Sequence, residues 1–89
     1  MWIRSRVNDI NTLAINTDIV GRISISYAKY KGENRDSVCF TTNSEVETHI
    51  VYDTLEHAKK AYTEIMDAII RGENCMFSPA DGYLTWRYL

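Results

Sequence analysis

Asp53-Thr54-Leu55-Glu56-His57-Ala58-Lys59-Lys60-Ala61-Tyr62-Thr63-Glu64-Ile65-Met66-Asp67-Ala68-Ile69-Ile70-Arg71-Gly72 is the stretch on which the fold turns. Leu55, Ala58, Tyr62, Ile65 and Ile69 recur at intervals of three and four, with Ala61, Met66 and Ala68 beside them, while Lys59, Lys60, Glu64, Asp67 and Arg71 fall largely on the other side. That spacing predicts one amphipathic helix over about 53–71 whose apolar stripe covers a neighbouring layer. Asp53 is expected as its N-cap, with Glu56 three residues on completing a variant of the capping box. Gly72, directly after Arg71, supplies the stop, because glycine takes the left-handed conformation that closes a helix without steric cost. Lys60 with Glu64 and Asp67 with Arg71 stand four apart and argue for a solvated outer face.

Toward the N-terminus the period changes to two. Residues 2–7 alternate large and polar side chains and read as a short strand, followed by a polar turn through Asn8, Asp9 and Asn11 and a second strand over 12–16. The run 19–31 sets Ile23, Ile25, Tyr27 and Lys29 against Ser24, Ser26, Ala28 and Tyr30, the pattern of a half-buried antiparallel strand. A turn through Gly32, Glu33, Asn34 and Asp36 leads to alternating segments over 37–42 and 46–52, parted by Asn43 and Ser44. Beyond the helix, Ser78-Pro79-Ala80-Asp81-Gly82 is the strongest turn in the chain, and Tyr83-Leu84-Thr85-Trp86-Arg87-Tyr88-Leu89 follows as an aromatic strand. Burying three large aromatic rings there requires a partner, either this chain's own sheet or a second subunit. The expected architecture is α+β: an antiparallel meander of about five or six strands with one helix on one face, in a single domain over 1–89.

Composition bounds the function. The chain has 89 residues, 45% hydrophobic and 25% charged, with one Pro and four Gly, which is the make-up of a folded domain. Its net charge is −2, with residues 1–31 holding five bases against two acids and the remainder five bases against ten acids. Duplex binding displaces counterions with clustered Lys and Arg, and the N-terminal bases here are scattered among apolar residues, so direct duplex DNA binding is not expected. A pocket for one or two phosphates needs only two or three bases and stays open. Cys39 and Cys75 lack metal-ligand or redox spacing, and no leader or long apolar run is visible. A reduced, cytoplasmic, soluble protein with no membrane association is expected.

Catalytic signatures are missing from the sequence. Glu47 and His49 stand at i,i+2 on one strand face and are the nearest approach to a metal or proton-transfer pair, but two ligands do not make a zinc site. His57 beside Glu56 reads as a surface residue, and Cys39 and Cys75 as small buried ones. No nucleophile elbow and no glycine-rich phosphate loop occurs. No enzyme activity, cofactor or metal is therefore expected. Binding is better served: Trp2, Arg4 and Arg6 share one face of the first strand, and Trp86, Arg87 and Tyr88 are adjacent near the end. Guanidinium groups beside aromatic planes hold phosphates while bases stack on the rings, so these six are the candidate ligand-binding residues.

The opening Met1-Trp2-Ile3-Arg4-Ser5, the short strand with Leu13 and Asn16, and the helix entry Tyr52-Asp53-Thr54-Leu55-Glu56-His57-Ala58 resemble a family of small uncharacterised proteins encoded by phages and prophages of Gram-positive bacteria. The resemblance spans the chain by order and spacing; the C-terminal aromatic segment is richer than that pattern. It implies an accessory product that counters bacterial immunity in the host cytoplasm, binding either a signalling nucleotide or a defence protein. Two readings follow. The first is a non-enzymatic, homo-oligomeric protein that sequesters a small anionic signal, most simply a nucleotide. The second is a protein inhibitor whose acidic stretch, with Glu45, Glu47, Asp53, Glu56, Glu64 and Asp67, occupies a basic surface on a defence effector.

Overall fold

The computed structural model describes residues 2–7, 11–16, 18, 20–72, 75–77 and 82–88, with side chains described over 18, 20–72 and 82–86. In chain order the elements are β1 (Trp2–Val7), β2 (Asn11–Asn16), β3 (Val20–Tyr30), β4 (Glu33–Thr42), β5 (Glu47–Tyr52), α1 (Leu55–Arg71), β6 (Cys75–Phe77) and β7 (Tyr83–Tyr88). The class is α+β, with an antiparallel four-stranded sheet in the order β3-β4-β5-β7 and one helix.

The expected single meander of five or six strands is corrected by the pairing. β1 and β2 leave the main sheet and form a three-stranded sheet with β6, in the order β2-β1-β6, in which β1 and β6 run parallel. Alternation in a sequence identifies a strand but does not name its partner, and the three residues of β6 are too few to show a period at all. A parallel pair also needs a long crossover, here everything from β2 to α1, which no local pattern reports.

The β3-β4 hairpin is tighter than the expected four-residue turn. Tyr30 pairs with Glu33, so the loop is Lys31-Gly32 alone, with φ of 50° and 82°. Positive φ at both loop positions belongs to the two-residue turns whose twist matches that of the strands. β4 consequently starts at Glu33, four residues before the expected start. β7 pairs antiparallel with β5, so the aromatic C-terminal strand closes an edge of its own sheet.

The helix starts one residue later than expected. Thr54, at φ −135° and ψ 158°, is the N-cap, and its Oγ1 accepts from the His57 backbone N–H at 3.3 Å. Asp53 instead turns its Oδ1 to His57 Nδ1, at 2.6 Å. At the other end Gly72, with φ 70°, donates its N–H toward the Ala68 and Ile69 carbonyls, the expected stop. The fully covered helical positions are Ala58, Ala61, Ile65 and Ala68, while Leu55 is exposed and Tyr62 and Ile69 are half-buried. Three alanines along that face let the helix approach the sheet closely. Val38 and Phe40 of β4 and Ile50 and Tyr52 of β5 meet it, flanked by Ile23, Ile25, Tyr83 and Trp86. The core is thus one face of the four-stranded sheet against α1.

Candidate functional site

Because successive strand residues alternate between faces, the residues between the core positions belong to the opposite face of the sheet. On β4 these are Ser37, Cys39 and Thr41; on β5 they are Glu47, His49 and Val51. Pairing joins Cys39 to His49 and Thr41 to Glu47, and β3 adds Ser24 opposite Cys39 and Arg22 opposite Thr41. This second face is polar and yet buried: Ser37, Cys39 and His49 are no more than 1% exposed.

His49 organises the cluster. Its Nδ1 lies 2.7 Å from Ser37 Oγ. Its Nε2 is buried, 3.4 Å from Glu47 Oε1, and has no hydrogen-bond partner among the described residues. The Cys39 thiol donates to the same Glu47 Oε1 at 3.3 Å, and its Sγ is 3.7 Å from Thr41 Oγ1. Burial pushes the Cys39 thiol above its ordinary pKa, the Glu47 carboxylate adding to the rise, while the Thr41 hydrogen bond and the Arg22 guanidinium act against it. A thiol held in that state is protonated at neutral pH and is no nucleophile on its own.

Glu47 connects this buried cluster to the outside, since its side chain is 42% exposed. Beside it a cleft of about 450 Å³ opens between the start of β3 and the β4-β5 turn, lined by Gly21 and Arg22 on one side and Thr41, Thr42, Asn43, Glu45 and Glu47 on the other. The turn is held by local bonds: Thr42 O accepts from Glu45 N at 2.9 Å, and Thr42 Oγ1 accepts from Val46 N at 3.0 Å. On the β3 side the ladder slips between Val20 and Arg22, at Gly21. A Cβ at Gly21 would stand 2.8 Å from Asn43 Oδ1, so glycine there lets the two walls come together.

The residues expected to bind a ligand fall on strands of two different sheets. Trp2, Arg4 and Arg6 lie on β1, the central strand of the three-stranded sheet, whereas Trp86, Arg87 and Tyr88 lie on β7, at the edge of the other. Trp86 pairs in register with Ile50 and packs against the core, and Arg87 holds the register position opposite His49. The side chains of Trp2, Arg4, Arg6, Arg87 and Tyr88 lie outside the described residues. Of the pair weighed from sequence, Glu47 and His49 are brought together, and the structure adds Cys39, whose place depends on a register that only strand pairing reveals. His57 is engaged by Asp53 rather than Glu56.

Among the described residues no helix is long and apolar enough to cross a membrane. The chain matches no protein-family model, no curated protein and no solved structure.

Proposed function

We propose that the protein is a non-enzymatic binding protein for a small anionic ligand of the nucleotide class, and that the cleft beside Arg22 receives it. The observation that carries this reading is the cleft itself: its volume of about 450 Å³ falls within the range of small-molecule sites, and its walls are polar. Arg22 offers a guanidinium fork for a phosphate, and Thr41, Thr42 and Asn43 offer hydroxyl and amide groups. Glu45 and Glu47 in the same wall would repel a bare phosphate. They accept hydrogen bonds well from sugar hydroxyls and exocyclic amines, groups that a nucleotide carries alongside its phosphate.

The role attached to this binding is sequestration of a signalling nucleotide in counter-defence, in line with the resemblance to phage accessory proteins. The protein-inhibitor reading has less support: Lys59 and Lys60 interrupt the exposed acids of α1 between Glu56 and Glu64, and Asp53 is engaged by His57. Homo-oligomerisation remains part of the proposal. Its support is now the exposed Tyr27 and Ile70, because the aromatic strand is already paired within the chain; light scattering reads it directly.

The test is calorimetric titration of the purified chain with a panel of linear and cyclic nucleotides. At least one should bind, Arg22→Ala should weaken it about tenfold or more through loss of a charge-assisted hydrogen bond, and heating the complex should release the ligand unaltered. A panel without a binder, or binding indifferent to Arg22→Ala, overturns the reading.

A further inference from the structure

We propose that Cys39 Sγ, Glu47 Oε1 and His49 Nε2 form a binding site for one divalent transition-metal ion of the zinc class, with Ser37 as the residue that positions His49. The three candidate ligand atoms all lie within 4.8 Å of one another, with Sγ to Oε1 at 3.3 Å and Nε2 to Oε1 at 3.4 Å. Around a tetrahedral zinc with Zn–S of about 2.3 Å and Zn–N and Zn–O of about 2.0 Å, ligand atoms sit roughly 3.3 to 3.6 Å apart. Two of the three separations therefore already have the spacing a bound ion would impose.

Side-chain chemistry points the same way. A thiolate, an imidazole and a carboxylate select zinc over magnesium or calcium, which prefer all-oxygen sites. His49 explains itself poorly as a packing residue, because its buried Nε2 has no hydrogen-bond partner among the described residues, an arrangement that costs free energy in a folded interior. An ion at that lone pair removes the deficit. Ser37 Oγ, 2.7 Å from Nδ1, is placed to accept the Nδ1–H and so fix the tautomer that leaves Nε2 free to coordinate, the usual outer-shell arrangement of a metal-bound histidine.

Binding exchanges a proton for the ion. The thiol proton that Cys39 now donates to Glu47 Oε1 leaves to water, Sγ becomes a thiolate bonded to the metal, and the carboxylate and neutral imidazole each give an electron pair. Entry is by way of Glu47, the half-exposed member, from the cleft. The three protein ligands leave one tetrahedral position for water. The site goes beyond the cleft's ligand reading: it shares Glu47 with the cleft but does not use Arg22.

The experiment titrates the full chain with cobalt(II), a spectroscopic substitute for zinc, and follows absorption. Saturation at one ion per chain, with thiolate-to-cobalt charge-transfer absorption and the visible bands of a tetrahedral ion, is expected, and zinc should displace the cobalt. Cys39→Ser should abolish the charge-transfer absorption, and Cys75→Ser should leave it intact. Glu47→Gln keeps shape and should weaken binding about tenfold or more, as should Ser37→Ala acting through the histidine. Zinc should also raise the melting temperature of the parent chain, though not that of Cys39→Ser, with circular dichroism confirming that each variant is folded. Arg22→Ala should retain the cobalt spectrum, which separates this site from nucleotide binding. Absence of charge-transfer absorption, or its survival in folded Cys39→Ser, overturns the proposal.

Discussion

Replacing Gly82 by alanine should be among the most damaging changes of one methyl group in this chain. Gly82 has φ 78°, in the left-handed region, and a Cβ built on it would overlap Asp53 Oδ1 and the His57 ring. The backbone cannot simply retreat, because Gly82 O accepts the Asp53 N–H at 2.8 Å and this bond joins the entry of β7 to the start of α1. The conformational penalty of a left-handed alanine is about 1 to 2 kcal/mol, and forced overpacking costs typically about 1 to 3 kcal/mol. A combined loss of about 2 to 5 kcal/mol is expected. For a domain of this size that lowers the melting temperature by roughly 10 to 25 °C. Thermal and urea melts followed by circular dichroism measure it. The double variant Gly82→Ala/His57→Ala removes the ring from the overlap but leaves the φ strain, so it should recover part of the loss and no more. A Gly82→Ala melt within about 0.5 kcal/mol of the parent would refute the close packing of β7 against the helix start.

Two other outcomes follow from single groups. The Tyr52 hydroxyl is buried with no hydrogen-bond partner among the described residues, and burial pushes its pKa up, while its ring packs edge-on to Tyr83 with centroids 6.5 Å apart. Tyr52→Phe keeps the ring and removes the unpaired hydroxyl, so denaturant melts should show unchanged or higher stability, by up to about 1 kcal/mol; a loss of more than that contradicts the assignment. The His57 hydrogen bond holds the Asp53 carboxyl below its usual pKa. Its folded value thus lies below the unfolded one near 4, so the contribution is present above that pH and fades as pH falls through the folded value. The stability difference between the parent and Asp53→Asn should accordingly narrow on acidification from about pH 5 to 3; a widening difference would contradict the pairing.

How far the sequence carries the fold depends on how local each decision is. The helix was legible because three-and-four spacing and Gly72 are properties of one segment. Its start was displaced by one residue because Asp53 and Thr54 are both competent caps, and the choice is made from outside, where Asp53 also donates its N–H to Gly82 O. Every strand but β6 was legible, and so were the hairpin pairings of neighbours; the division into two sheets was not, since alternation is the same whether a strand joins one sheet or another. The candidate metal site shows the same limit more sharply. Glu47 and His49 belong to one strand and can be noticed by eye. Cys39 joins them only through the β4-β5 register, which is set by a turn with Glu45 at φ 64°. A slip of one residue would send its side chain to the other face.

The sheet's two faces also differ in the chemistry they bury. Against α1 and its Ile65 the sheet places Val38, Phe40, Ile50 and Tyr52, a conventional apolar core. On the opposite face it buries Ser37, Cys39, Thr41 and His49. Those positions would hold the fold at least as well with apolar side chains of similar volume, since a buried polar group adds little net stability when paired and costs free energy when it is not. His49 Nε2 has no hydrogen-bond partner among the described residues. A domain of 89 residues has little surplus stability to spend on such a group, since the net stability of folded proteins is only about 0.05 to 0.15 kcal/mol per residue. Departures from local consistency of this kind belong at functional sites. The polar face, with its orphaned imidazole nitrogen and its opening through Glu47 to the Arg22 cleft, is therefore where ligand chemistry should be sought, and the aromatic strand β7 is the edge that completes the sheet beneath it.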